Sequence, residues 1–284
     1  MGLLTRLKMG LVLTKDSLLV MRHNPKLFLF PIVSGVAGLA FLVVFLGVTF
    51  GLMAVTPEGG ALVGLFLIYL VLTFVSSFFT AGLVHQTREV LAGNEASLKQ
   101  GLGAAWEVKG PLFVWSLIAA TVGLVINAIE NSDSRIARTF GLIFGLAWTV
   151  MTFFVIPSIV FEKSSATGMF KDSAGTFKQT WGETPISLAG INIVSFLVVL
   201  PFALPGVYLF SIGVVLGGAA LVLTGILLSF LVGQTLQGVV KTTLYLYAKE
   251  GKRPAEFDDV DFDGLARDSP GSTARSRPSY GGFQ

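Results

Sequence analysis

Between Pro185 and Val240 the chain carries no Asp, Glu, Lys or Arg, and between Leu27 and His85 the only charge is Glu58. A helix crosses the hydrocarbon of a bilayer with roughly 20 apolar residues, so each stretch is long enough for two crossings. A helix of a soluble domain keeps a polar face toward water, and these stretches offer none. Only 13% of the residues are charged, against about 25% in globular domains. Backbone polar groups in lipid must be satisfied within the segment, which a helix does. The expected fold is therefore all-α, a polytopic integral membrane protein.

Six crossings can be drawn, over 27–55, 60–84, 111–129, 137–161, 186–204 and 210–244. Short connectors, "TPEGG" (56–60), "ENSDSR" (130–135) and "PFALPG" (201–206), alternate with longer polar ones at 85–110 and 162–184. The crossings thus pair into three hairpins, and residues 1–253 form one transmembrane domain. The remainder, 254–284, is acidic and then rich in Gly, Ser, Pro and Arg without a periodic face. It reads as a disordered cytoplasmic tail.

The cations are unevenly divided. The N-terminal segment, the two long connectors and the exit of the last helix, where Lys241 and Lys249 stand, hold fifteen Lys and Arg. The short connectors hold two, Arg135 and Arg138. Cytoplasmic loops near membrane ends carry the excess of Lys and Arg, so a cell-membrane protein with both termini in the cytoplasm is expected. No compact apolar segment with a cleavage site opens the chain, which argues against a cleaved signal peptide. "MGLLTR" lacks the Ser or Thr of a myristoylation signal.

Each hairpin is preceded by a charged helix candidate and a polar elbow ending in proline, at Pro25, Pro111 and Pro185. Proline suits the first turn of a helix and forces the residue before it out of helical conformation. The elbow therefore turns a helix lying on the surface into one that dives through, and the unit is read as a threefold repeat. In the connectors, Leu98, Leu102 and Trp106 share one helical face, as do Phe170, Ala174, Phe177 and Trp181. These are expected to be interfacial amphipathic helices, with Trp106 and Trp181 as headgroup anchors.

Chemistry is thinly represented. With no cysteine and two histidines, His23 and His85, both at helix ends, thiol chemistry is excluded and no cofactor, catalytic or metal site is expected. No carboxylate lies inside a crossing, which disfavours proton coupling. In the tail, Asp259, Asp261, Asp263 and Gly264 begin a calcium loop, but Pro270 stands where its bidentate Glu belongs. No basic block suggests nucleic acid. Gly47 and Gly51, Gly141 and Gly145, and Gly213 and Gly217 are spaced for close helix packing, within the chain or between copies. Asn192 and Gln234 fall at equal depth in the third hairpin, so a hydrogen bond between them is expected, with Gln237 as substitute partner.

The segments "KDSLLVMRHNPKLFLFPIVSG", "FFVIPSIVFE", "FKDSAGTFKQTWGE" and "TTLYLYAKEG" resemble an uncharacterised prokaryotic family of six-pass membrane proteins, a domain of unknown function. The likeness covers roughly residues 10 to 253. It implies the six-pass fold and no activity, so it assigns no functional residues.

Two functions fit these observations. One is a non-enzymatic membrane scaffold or assembly component, its partners the lipid bilayer and a second copy or another membrane protein. The other is a passive channel or lipid or small-solute transporter, with Asn127, Asn192, Gln234, Gln237 and breaks at Pro157, Pro201 and Pro205 as its material. A continuous polar cavity would favour the second, a dry centre the first.

Overall fold

The computed structural model describes residues 3–165, 167–181 and 188–251. Ten α-helices account for nearly all of them: α1 (Leu3–His23), α2 (Leu29–Val55), α3 (Pro57–Leu91), α4 (Leu98–Glu107), α5 (Lys109–Glu130), α6 (Arg135–Thr152), α7 (Val155–Glu162), α8 (Gly168–Trp181), α9 (Leu188–Ser211) and α10 (Val215–Glu250). Six spans are long and apolar enough to cross a membrane: Pro25–Val55, Gly59–Leu91, Lys109–Glu130, Arg135–Glu162, Gly190–Ser211 and Val215–Glu250. They form the three expected hairpins, α2 with α3, α5 with α6 and α7, and α9 with α10.

The first elbow forms as the sequence suggests, whereas in the second the break falls at Val108, three residues before the proline, and Gly110 is already helical. α1 ends at His23, Asn24 is non-helical, and Pro25 opens a 3-10 turn leading into α2. In the second, α4 stops at Glu107 and Pro111 lies in the first turn of α5. Pro185 and the tail 254–284 lie outside the described residues.

The third hairpin turns later than expected. "PFALPG" is helical, with Pro201 and Pro205 inside α9, and the reversal comes at Ile212–Val214. Gly213 has φ 83°, its N–H donates to Phe210 O at 3.1 Å and that of Val214 to Leu209 O at 2.9 Å. This is a Schellman cap, which wants a residue without a Cβ. Gly213 is therefore a turn residue rather than half of a packing pair. Proline inside a membrane helix is tolerated because neighbouring groups re-satisfy the freed carbonyl.

Proline does break the fourth crossing. Pro157 has no N–H and its ring crowds the carbonyl four residues back, at Phe153, where α6 gives way to α7. The break is stabilised from outside: Phe154 N–H donates to Ser173 Oγ of α8 at 2.9 Å.

The long-connector end is the packed end. There α1, α4, α7 and α8 gather around the C-terminal halves of α3 and α10, burying Phe30, Leu83, Phe154, Leu236 and Tyr245. A second cluster joins α3, α5, α7 and α8 through Ala81, Leu112, Ile159 and Met169. The connector helices are thus largely held by protein. α8 buries Met169, Ser173, Thr176 and Phe177, so its expected lipid-facing stripe is in part a protein contact. At the short-connector end Phe50, Val55 and Leu216 are exposed, as suits side chains bathed in acyl chains.

Glycines set the close approaches. A Cβ at Gly218 would lie 2.7 Å from Gly206 O, and one at Gly238 2.5 Å from Leu83 Cδ2. Of the pairs spaced for packing, Gly141 meets α5 at Ile129, whereas nothing lies within 4 Å of Gly47 or Gly51.

Candidate binding cavity

Side chains from α3, α5, α6, α7 and α10 surround a cavity of about 840 Å³ inside the membrane-spanning region. On α3 the wall is formed by Tyr69, Thr73, Ser76, Ser77 and Thr80, whose steps of three and four residues place them on one helical face. On α10 Gln234, Gln237, Gly238 and Lys241 repeat the same spacing. The opposite wall is Trp115 of α5 with Trp148, Thr149 and Thr152 of α6.

The aromatic wall is fixed by contacts of its own. Trp115 and Trp148 stack at 5.9 Å with planes 12° apart, and Trp115 Nε1–H donates to Ser77 Oγ at 3.1 Å. The bond satisfies an indole N–H that would otherwise be buried unpaired. The cavity lies where α6 and α10, on either side, make few contacts with each other. It therefore has a lateral mouth between the second and third hairpins.

The hydroxyls on this wall divide into two groups. Thr149 and Thr152 donate to the carbonyls four residues back, at 2.8 and 2.7 Å, the usual resort of a hydroxyl in a membrane helix. Thr73, Ser76 and Thr80 make no such bond among the described residues. Lys241 donates to Gln237 Oε1 at 3.1 Å, and its ammonium lies 4.8 Å from the centre of the Phe153 ring. It is paired with no carboxylate among the described residues.

Beyond Lys241 toward the long connectors, a polar knot ties α7 and α8 to α10. Tyr245 OH donates to Glu162 Oε1 at 2.6 Å and Lys249 Nζ stands 2.7 Å from the same oxygen. Ser164 Oγ donates to Asp172 Oδ2 at 2.8 Å and lies 2.9 Å from Ser158 Oγ. Among the described residues no three His, Cys, Asp or Glu side chains come together as a metal site would require.

The expected Asn192–Gln234 hydrogen bond is not formed. Both residues are exposed, and the α9–α10 seam is carried instead by their neighbours. Ile191 is buried there, Gly233 lies against Ser195, and Ser229 Oγ donates to Ser195 O at 2.8 Å. One residue along a helix is a rotation of about 100°, so equal depth did not bring equal facing. Gln234 and Gln237 line the cavity, whereas Asn192 does not. Asn127 sits at the far end of α5, where its carbonyl and side-chain oxygens accept from Asn131 Nδ2.

Trp106 is 62% exposed on α4, with Lys109 Nζ 3.8 Å from its ring centre; the side chain of Trp181 lies outside the described part of the structure. Sequence reasoning passed over Lys241 and the α3 hydroxyls. Lys241 counts in the sequence only among the cations at the exit of the last helix, although it shares a face with Gln234 and Gln237, and "TFVSSFFT" holds a hydroxyl stripe at helical spacing.

Neither a curated protein nor a solved structure matches the chain. A family model, described as a family of unknown function, DUF6159, matches residues 60–255. That span holds α3 to α10 and so the entire cavity wall, while the elbow at Pro25 and α2 precede it. With well over half of its length matched, the chain, a multi-pass membrane protein, belongs to this family of unknown function, DUF6159.

Proposed function

We propose that the chain is a non-enzymatic conduit or carrier for a lipid or small solute, with both termini in the cytoplasm and the cavity between its hairpins as the path. The observation that carries this reading is the polar wall: unsatisfied hydroxyls, two amides and a cation converge on one space within the membrane-spanning region. Polar groups exposed to hydrocarbon cost several kcal/mol each, so they are retained where water or a polar ligand meets them. A scaffold held together only by helix packing would have a dry centre.

The absence of native cysteine makes the test clean. Ser76→Cys and Thr149→Cys should react with a hydrophilic methanethiosulfonate reagent at least about tenfold faster than Val43→Cys, on an exposed lipid-side position of α2. Equal rates at Ser76 and Val43 would mean a dry centre and return the scaffold reading.

A further inference from the structure

Lys241 is the only charged side chain among those described on the cavity wall. An ammonium has three N–H donors; Gln237 Oε1 takes one, and no carboxylate is paired with the others. A cation withdrawn from water without a counter-charge is unfavourable. The same wall carries further groups able to donate: the hydroxyls of Thr80 and Ser76, and the Gln234 amide, which makes no hydrogen bond within the protein among the described residues. Such a wall complements an oxygen-bearing anion, since charge-assisted bonds from Lys and hydroxyl donors to phosphate or carboxylate are the strong ones.

The cavity is also graded along its length. Gly238 of α10 stands against Leu83 of α3, and both helices run toward the long connectors. Lys241 therefore marks the long-connector end, while Ile68, Tyr69 and Leu72 mark the deep, apolar end. Val84 to Ile68 spans about 24 Å at 1.5 Å per residue, the scale of an acyl chain. The lateral mouth between α6 and α10 opens this length to the surrounding lipid.

We infer that the cavity is an oxyanion site built on Lys241, taking the phosphate or carboxylate of an anionic lipid or of a free solute. The inference rests on the reading of the cavity as a solute path and names the chemical class of what enters it. Length and lateral access favour the lipid, whose head would sit at Lys241 with its chain toward Tyr69.

Trp115 and Trp148 on the wall provide the signal. In a Trp106→Phe, Trp181→Phe background these are the remaining tryptophans, and lipids with brominated chains quench them on entry. Brominated phosphatidylglycerol should reach half-quenching at about a tenfold lower mole fraction than brominated phosphatidylcholine. Lys241→Gln should abolish that preference and Lys241→Arg should keep it. In the second arm, inorganic phosphate is added to protein in detergent. A rise in Tm for the parent but not for Lys241→Gln would identify a free anion as the source.

Ser76→Ala, which leaves the cation in place, should weaken the lipid preference several-fold and guards against a folding defect in Lys241→Gln. The inference is overturned if neither lipid charge nor phosphate registers, or if both effects persist unchanged in Lys241→Gln. Thiol access at Ser76 without any anion preference would leave the conduit reading standing and remove this one. Loss of thiol access would remove the conduit reading, and the quenching ratio would still decide whether Lys241 holds an anion.

Discussion

Tyr245 shows how much one hydroxyl can hold together. Its ring is buried between Phe154 and Phe161, with centroids at 5.8 and 5.7 Å, and its OH bonds the same Glu162 oxygen that faces Lys249. Tyr245→Phe keeps the packing and removes the hydroxyl's bond to Glu162, so a loss of about 1–2 kcal/mol is expected. Tyr245→Ala also empties the ring's volume and should cost about 3–5 kcal/mol. Unfolding titrations in mixed micelles measure both; a Phe variant as stable as the parent would show that the hydrogen bond contributes nothing. The residue types of this knot were visible in the sequence, but Glu162 and Tyr245 are far apart in the chain. Only the docking of α7 against α10 brings them together.

At the scale of elements, proline and glycine exchanged their expected roles in the third hairpin. "PFALPG" has the composition of a turn, yet α9 runs through it, and Gly213 supplies the left-handed cap. Gly213→Ala should therefore destabilise by about 1–2 kcal/mol, the cost of a Cβ in that conformation. Pro205→Ala restores a helical N–H and should be neutral or stabilising. Thermal unfolding of the two variants side by side decides the matter, and the opposite ranking would place the turn at the prolines. The break at Phe153–Phe154 follows the rule that "PFALPG" escaped. Pro157 ends α6 because Ser173 of α8 is there to take the Phe154 N–H. Whether a proline breaks a membrane helix is thus settled by what lies beside it.

For the molecule as a whole, the packed core and the lipid-exposed half occupy opposite ends of the hairpins. α10, 36 residues long, extends about 54 Å at 1.5 Å per residue, well beyond a hydrocarbon layer of about 30 Å. Its last turns belong with α1, α4, α7 and α8 in the long-connector layer, where the cations concentrate. Reporter fusions after Gly60 and Asp133 should accordingly report the outside, and fusions after Asn94 or Ser173 the cytoplasm. The reverse pattern would invert the proposed orientation and place Lys241 toward the outer leaflet.

Fold class, the number of crossings and their pairing were legible in the sequence, because the energetic penalty on charge in hydrocarbon writes itself into charge-free stretches readable one residue at a time. The elbow at Pro25 was legible for a similar reason, since a proline's effect on the residue before it is local; at Pro111 the helix break was displaced to Val108. The cavity was not legible. Its wall takes one face each from α3 and α10, a tryptophan from α5 and a threonine pair from α6, and it remains open because α6 and α10 make few contacts with each other. Which faces of apolar helices meet is decided by small differences in packing, with no hydrophobic preference to orient a helix in lipid. Depth along a helix could be counted from Pro185 to Asn192. The rotation that carried Gln234 to the cavity and left Asn192 outside it was settled by Ser195, Gly233 and the tertiary seam they form.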